Sequence, residues 1–129
     1  MWSYTSVSSS GEHRYWIMPK SKYNTGTTQP SEGLYFDYFT TSGSGTGKFG
    51  KRESSSSSGL SNNLSCSSSN WHTVKYVKEG TTLKMYFDDT LEYTGTISWI
   101  DNFTDYTLSM MRWSTSGTSK IKNVKFKPL

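Results

Sequence analysis

Apolar residues in this chain recur at every second position rather than at every third or fourth. In TLKMYFDD, Leu83, Met85 and Phe87 fall on one side, and Lys84, Tyr86 and Asp88 on the other. That is the two-residue period of a half-buried strand. In WHTVKYV, His72, Val74 and Tyr76 share a face opposed by Trp71, Thr73, Lys75 and Val77. In KNVKFKP, Val124 and Phe126 are expected to face inward between lysines. Five more runs, HRYWIMP, GLYFDYF, TGKFGKR, YTGTISW and YTLSMMRW, are short and bounded by Gly, Ser, Asn or Asp. No long stretch carries a helical period, apart from one expected turn around SWIDNF. The pattern predicts an all-β domain spanning 1–129, an antiparallel two-sheet β-sandwich.

The breaks between runs refine this. KEG at Lys78-Glu79-Gly80 is read as a hairpin turn, and Asp88 and Asp89 as the close of another. The cluster GSGTGK is expected at the tip of a hairpin between GLYFDYF and KFGKR. The serine-rich interval, about 53–70, is read as a long loop within the one domain, tacked down by Leu60 and Leu64.

Composition changes the picture in three ways. Apolar residues are only 32% of the 129, but aromatics supply 16% and each buries a large area, so a core is affordable. Alanine is absent and Ser, Thr, Tyr and Gly abound, which favours strands over helices. The net charge of +4 is spread along the sequence, with some concentration in KIKNVKFK. Lysines on an edge strand discourage edge-to-edge pairing. No nucleic-acid-binding motif accompanies them, so a nucleic-acid partner is not expected. No apolar run is long enough to span a bilayer as a helix, and membrane insertion is not expected. Cys66 is the single cysteine, which rules out an intrachain disulfide.

Few residue patterns carry chemistry. His72 sits inside a strand, far in sequence from His13. Asp88 and Asp89 are adjacent, and neighbouring strand residues point to opposite faces, so they are not expected to converge on one substrate. There is no G-x-S-x-G elbow, no phosphate-binding glycine loop with a K-S/T ending, and no zinc spacing. No cofactor or metal is expected. Calcium would need oxygens converging from separate loops, to which Asp88 or Asp89 could add one.

The succession W-H-x-V-x-Y-V, K-E-G, T-L-K-M-Y-F-D-D and a closing K-I-K-N-V-K-F resembles the second half of concanavalin A-like lectin/glucanase domains. The laminin G-like and pentraxin-like members are the most similar, over about residues 70–128. The resemblance implies a jelly roll of two curved antiparallel sheets whose concave face and rim loops bind carbohydrate. Asp89 stands where such domains usually have Gly. The E-x-D-x-x-E of the glucanase branch has no counterpart among the acids here, so an enzyme is not expected and no catalytic residue is named.

Sugar sites combine an aromatic platform with hydrogen-bonding Asp and Asn. On that ground SWIDNFTDYT supplies candidate ligand-binding residues Trp99, Asp101, Asn102 and Tyr106, joined by Arg112 and Trp113 at the end of the next strand. Tyr86 and Lys75 rank second. The other reading, and the bland one, is that Trp99, Ile100 and Phe103 anchor the loop in the core and the acids are solvated. The expected function is a non-catalytic carbohydrate-binding module of a larger surface, secreted or virion protein. Its partner would be a glycan or cell-surface polymer, with homo-oligomer contacts or neighbouring domains. The alternative is an assembly domain that binds no sugar, and a glycoside hydrolase stands third.

Overall fold

The computed structural model describes residues 2–9, 11–23, 28–41, 44–67, 70–112 and 118–127. The chain forms β1 (Trp2–Ser9), β2 (Gly11–Pro19), β3 (Gly33–Thr41), β4 (Ser44–Glu53), β5 (Ser56–Gly59) and β6 (Leu64–Ser67). Then follow β7 (His72–Glu79), β8 (Thr82–Phe87), β9 (Thr90–Gly95), β10 (Tyr106–Arg112) and β11 (Ser119–Lys127). Single 3-10 turns lie at Lys20–Lys22 and Ser98–Asn102. One antiparallel sheet has the order β11-β1-β7-β8-β9. The other has the order β10-β2-β3-β4-β5, with β6 paired to the first half of β4 and β5 to its second half. The protein is an all-β, two-sheet antiparallel sandwich.

Alternation is what makes the layers. From the six-stranded sheet, Tyr15, Ile17, Leu34, Phe36, Tyr38 and Phe49 point into one core. Val74, Tyr76, Leu83, Met85 and Phe87 meet them from the five-stranded sheet. Phe36 is fully buried, stacks on Phe87 with ring centroids 5.3 Å apart and takes Phe49 edge-on at 4.9 Å. Each such side chain contributes ~1.5–3 kcal/mol by leaving water, so a core built from rings offsets the low apolar fraction.

Turn geometry accounts for what the sequence concealed. Asp88 and Asp89 have φ of 46° and 65°, and Ser54 and Ser55 of 47° and 63°. Consecutive left-handed residues are the hairpin turn whose twist matches its strands, normally made with glycine. The serine-rich interval read as a loop therefore contains two strands, β5 and β6. Leu60 and Leu64 do pack against the core. The hairpin after β7 turns at Gly80, φ 58°, between the paired Glu79 and Thr82.

Three expectations are corrected. The glycines of GSGTGK are not only a hairpin tip, because Gly45 and Gly47 lie within β4. A Cβ at Gly47 would stand 2.8 Å from the Cys66 sulfur and closer still to the Phe36 ring, so glycine there makes room for the core. The YTGTISW strand stops at Gly95. Val124 and Phe126 are 45% and 43% exposed, because β11 is an edge strand with an interrupted register. β1, WSYTSVSS, is a strand the alternation did not reveal; it has few apolar residues and pairs with β7 and β11.

Candidate functional site

The residues around the second 3-10 turn are dispersed by the fold. Trp99 is 5% exposed and Ile100 3%, both in the core, with Phe103 edge-on to Trp99 at 6.4 Å. A ring so enclosed offers no face to a sugar. The Tyr106 hydroxyl donates to the Ile100 carbonyl, and burial, aided by the negative charge of Asp101, pushes the phenol up to about 12. Asp101 accepts an ion pair from Lys78 at 2.6 Å, tying the turn to β7. Asn102 is exposed and lines a shallow groove of about 440 Å³ with Lys20, Ser21, Phe103, Thr104 and Asp105. Arg112 closes β10 opposite His13, whereas Tyr106 opens it opposite Pro19; six residues of strand separate them by about 20 Å. The Arg112 side chain and all of Trp113 lie outside the described residues. Trp99, Asp101, Asn102 and Tyr106 thus share a neighbourhood but not a surface.

His72 and Asp88 do meet, although the alternation places His72 on the face of Val74 and Tyr76 and Asp88 on the side opposite Leu83, Met85 and Phe87. The left-handed turn folds Asp88 back so that its Oδ2 lies 2.7 Å from His72 Nδ1, and Oδ1 accepts the Thr73 amide at 2.8 Å. His72 Nε2 accepts the Ser67 amide at 3.4 Å, which fixes the proton on Nδ1. The ring stacks on Phe87 at 5.0 Å. Both nitrogens are engaged, so the pair works as a clamp. It joins the end of β6, in one sheet, to the start of β7, in the other. Cys66 beside it is 4% exposed, and burial pushes its thiol up to about 12, which makes it a poor nucleophile.

The outer face of the six-stranded sheet is the better assembled surface, and neither its arginine nor its rings were singled out from sequence. Its side chains run in rows set by register. Trp16 and Tyr35 lie side by side, edge to face at 5.0 Å, 0% and 6% exposed although they point away from the main core. With Met18 and the half-buried Met111 they form a second, smaller core. Gly33 leaves room for the Trp16 ring, 2.8 Å from where a Cβ would be, and Gly50 does the same for Tyr35. The guanidinium of Arg14 lies 4.1 Å above the Tyr35 ring centre, pairs with Asp37 at 2.7 Å and donates to Gln29 at 2.9 Å. Burial is the main cause raising the Tyr35 phenol, with Arg14 opposing it. Gln29 and the buried Pro30 come from the connection between β2 and β3, which crosses this end of the face.

The other end of the same face is open. Phe39, 44% exposed, stands in register with Glu12 on β2 and Thr46 on β4, and Thr46 with Ser65 on β6. One row inward, Arg14, Asp37 and Lys48 cross the same strands. One Asp37 oxygen, Oδ1, is buried with no hydrogen-bond partner among the described residues. No family model matches the chain, and no curated protein matches it. Function must therefore be argued from these surfaces. Among the described residues, no group of three or more His, Cys, Asp or Glu could hold a metal ion. No described helix is long and apolar enough to cross a membrane.

Proposed function

We propose that this protein is a non-catalytic glycan-recognition module, part of a larger surface or virion protein, and that the open end of its six-stranded sheet holds the sugar. The observation that carries the reading is the solvent-facing row Glu12, Phe39, Thr46 and Ser65, drawn from four neighbouring strands. An exposed ring can stack on the apolar face of a pyranose. Acids, hydroxyls and the Lys48 ammonium around it match the hydroxyls at the sugar's rim. Sheet residues hold such a constellation more rigidly than loops do. The sandwich is in keeping with the concanavalin A-like resemblance: the first strand pairs with the last, and the chain changes sheet after β1, β6, β9 and β10. A jelly roll is the finer reading of this topology. The site differs from the one read in sequence, since Trp99 and Tyr106 are spent on packing.

An array of uncharged glycans tests this with wild type, Phe39→Ala, and Trp71→Ala as a control on the opposite sheet. Binding lost in the first variant and kept in the second is the expected result. Absence of binding to any glycan by a folded wild type would sink the reading. In that case the assembly alternative gains, which Leu91 on β9 and Val124 and Phe126 on β11 favour, being 43–48% exposed at the two sheet edges. Light scattering over a concentration series would then show a growing oligomer.

A further inference from the structure

Lysines that are scattered in sequence are collected by the five-stranded sheet. Ser8, Ser6 and Tyr4 of β1 stand in register with Lys120, Lys122 and Lys125 of β11. Those rows continue onto Thr73 and Lys75 of β7, which alternate with the buried Val74 and Tyr76, so they run along the outer face of the sheet. Lys122 and Lys125 are three residues apart and would fall on opposite faces of a regular strand. The register shift between Tyr4 and Ser6, with Asn123 at φ 53°, absorbs the odd residue and keeps both outside. Along the same rows, Tyr4 pairs with Lys75 and Lys75 with Tyr86, while Val77 pairs with Lys84.

Edge protection explains the lysines of β11, the outermost strand. It does not explain Lys75 and Lys84, which lie on the interior strands β7 and β8. Two of the ammoniums are held forward by rings: Lys122 lies 4.1 Å over Trp71 and Lys75 4.4 Å over Tyr86. Lys84 pairs with Glu79 at 3.1 Å, the acid this face contributes to that pair.

We infer that the outer face of the five-stranded sheet binds a linear anionic polysaccharide. Five lysines against the one acid paired with Lys84 leave this face with a net positive potential. Strands about 4.8 Å apart and alternate residues about 6.6 Å apart space the ammoniums as an extended chain spaces its carboxylates or sulfates. Single-stranded nucleic acid would need rings with open faces on which bases stack. Here the faces of Trp71 and Tyr86 already carry ammoniums. An anionic bilayer would favour an apolar side chain reaching past the lysines, and Trp71 lies beneath one instead. The inference does not depend on the Phe39 row, which is on the opposite sheet.

The experiment measures binding of the full chain to heparin by calorimetry at low and high salt. A single-stranded oligonucleotide of equal charge and vesicles of phosphatidylcholine with phosphatidylserine are parallel arms. Heparin binding that weakens with salt is expected, reduced about tenfold in Lys75→Gln with Lys122→Gln. Lys20→Gln with Lys51→Gln, off this face, should leave it unchanged. Should the double variant fail to fold, the single exposed reversal Lys122→Glu replaces it. No heparin binding, equal losses in both lysine pairs, or tighter binding to the oligonucleotide or the vesicles would each overturn the inference.

Discussion

The two sheets treat the aromatic residues of their outer faces in opposite ways. On the six-stranded sheet, Trp16 and Tyr35 are buried under Arg14, Met18 and the crossing segment that carries Gln29. Beside β7 of the five-stranded sheet, Trp71 stays 41% exposed with the Lys122 ammonium laid across it. Both arrangements put a cation over a ring, yet their physics differs. Arg14 is fixed by Asp37 and Gln29 and is 14% exposed, so it belongs to the packing. On the other face the ammoniums themselves lie over the rings, Lys122 over Trp71 and Lys75 over Tyr86, at the surface of the sheet. The Trp16 end of the first face stabilises the fold; the second face keeps its charge at the surface.

That contrast can be broken by substitution, most forcefully at the rings. Trp16→Ala is expected to cost about 3–5 kcal/mol, as for other fully buried large side chains, and Trp71→Ala to stay within about 0.5 kcal/mol. Urea denaturation of both variants decides it; similar losses would mean the two faces are not different in kind. The charges come next. Asp37→Ala strands a mostly buried guanidinium and is expected to cost about 1–3 kcal/mol, against less than about 0.5 kcal/mol for Lys122→Ala.

Alkaline pH gives a further test of the interior. Burial raises the Cys66 thiol from 9.0 and the Tyr106 phenol from 10.0 to about 12 each, and pushes Tyr38 and Tyr76 upward as well. A group raised on folding gives up its proton more readily in the unfolded chain. Its contribution is intact below pH 9 and declines as the pH climbs towards 12. Thermal melts from pH 8 to 11 should therefore fall steadily, and Cys66 should react with a thiol reagent at pH 8 only after unfolding. Prompt labelling of the native chain would show that the β6 end of the core opens. The smallest stability change is expected for Phe39→Ala, which should leave the melting point within a degree or two while removing glycan binding.

The sandwich was legible where alternation was clean. Leu83, Met85 and Phe87, and likewise Val74 and Tyr76, lie inside as their spacing implied. It was illegible where turns lack glycine. Ser54-Ser55 and Asp88-Asp89 adopt left-handed backbone without the residue that announces it, so β5 went unread and the meeting of Asp88 with His72 was missed. Trp99 allowed two readings in sequence, and packing took it for the core. Arg14 and Asp37 are 23 positions apart, and only the pairing of β2 with β3 brings them together. The second-ranked candidates, Lys75 and Tyr86, are in contact on an outer face. No local pattern could show that the lysines of β11 share that face.

The irregularity at Asn123 acts as a phase shift in a two-beat pattern. Before it, even-numbered residues of β11 face solvent; after it, odd-numbered ones do. Deleting one residue there would restore the beat with Lys122 and Lys125 two positions apart and both still outside; straightening the strand at its present length would instead turn Lys125 towards the interior of the sandwich, with Phe126 taking its place outside. The extra residue is thus what reconciles an odd spacing of lysines with one charged face, and its left-handed backbone is the point on which the polarity of this edge turns.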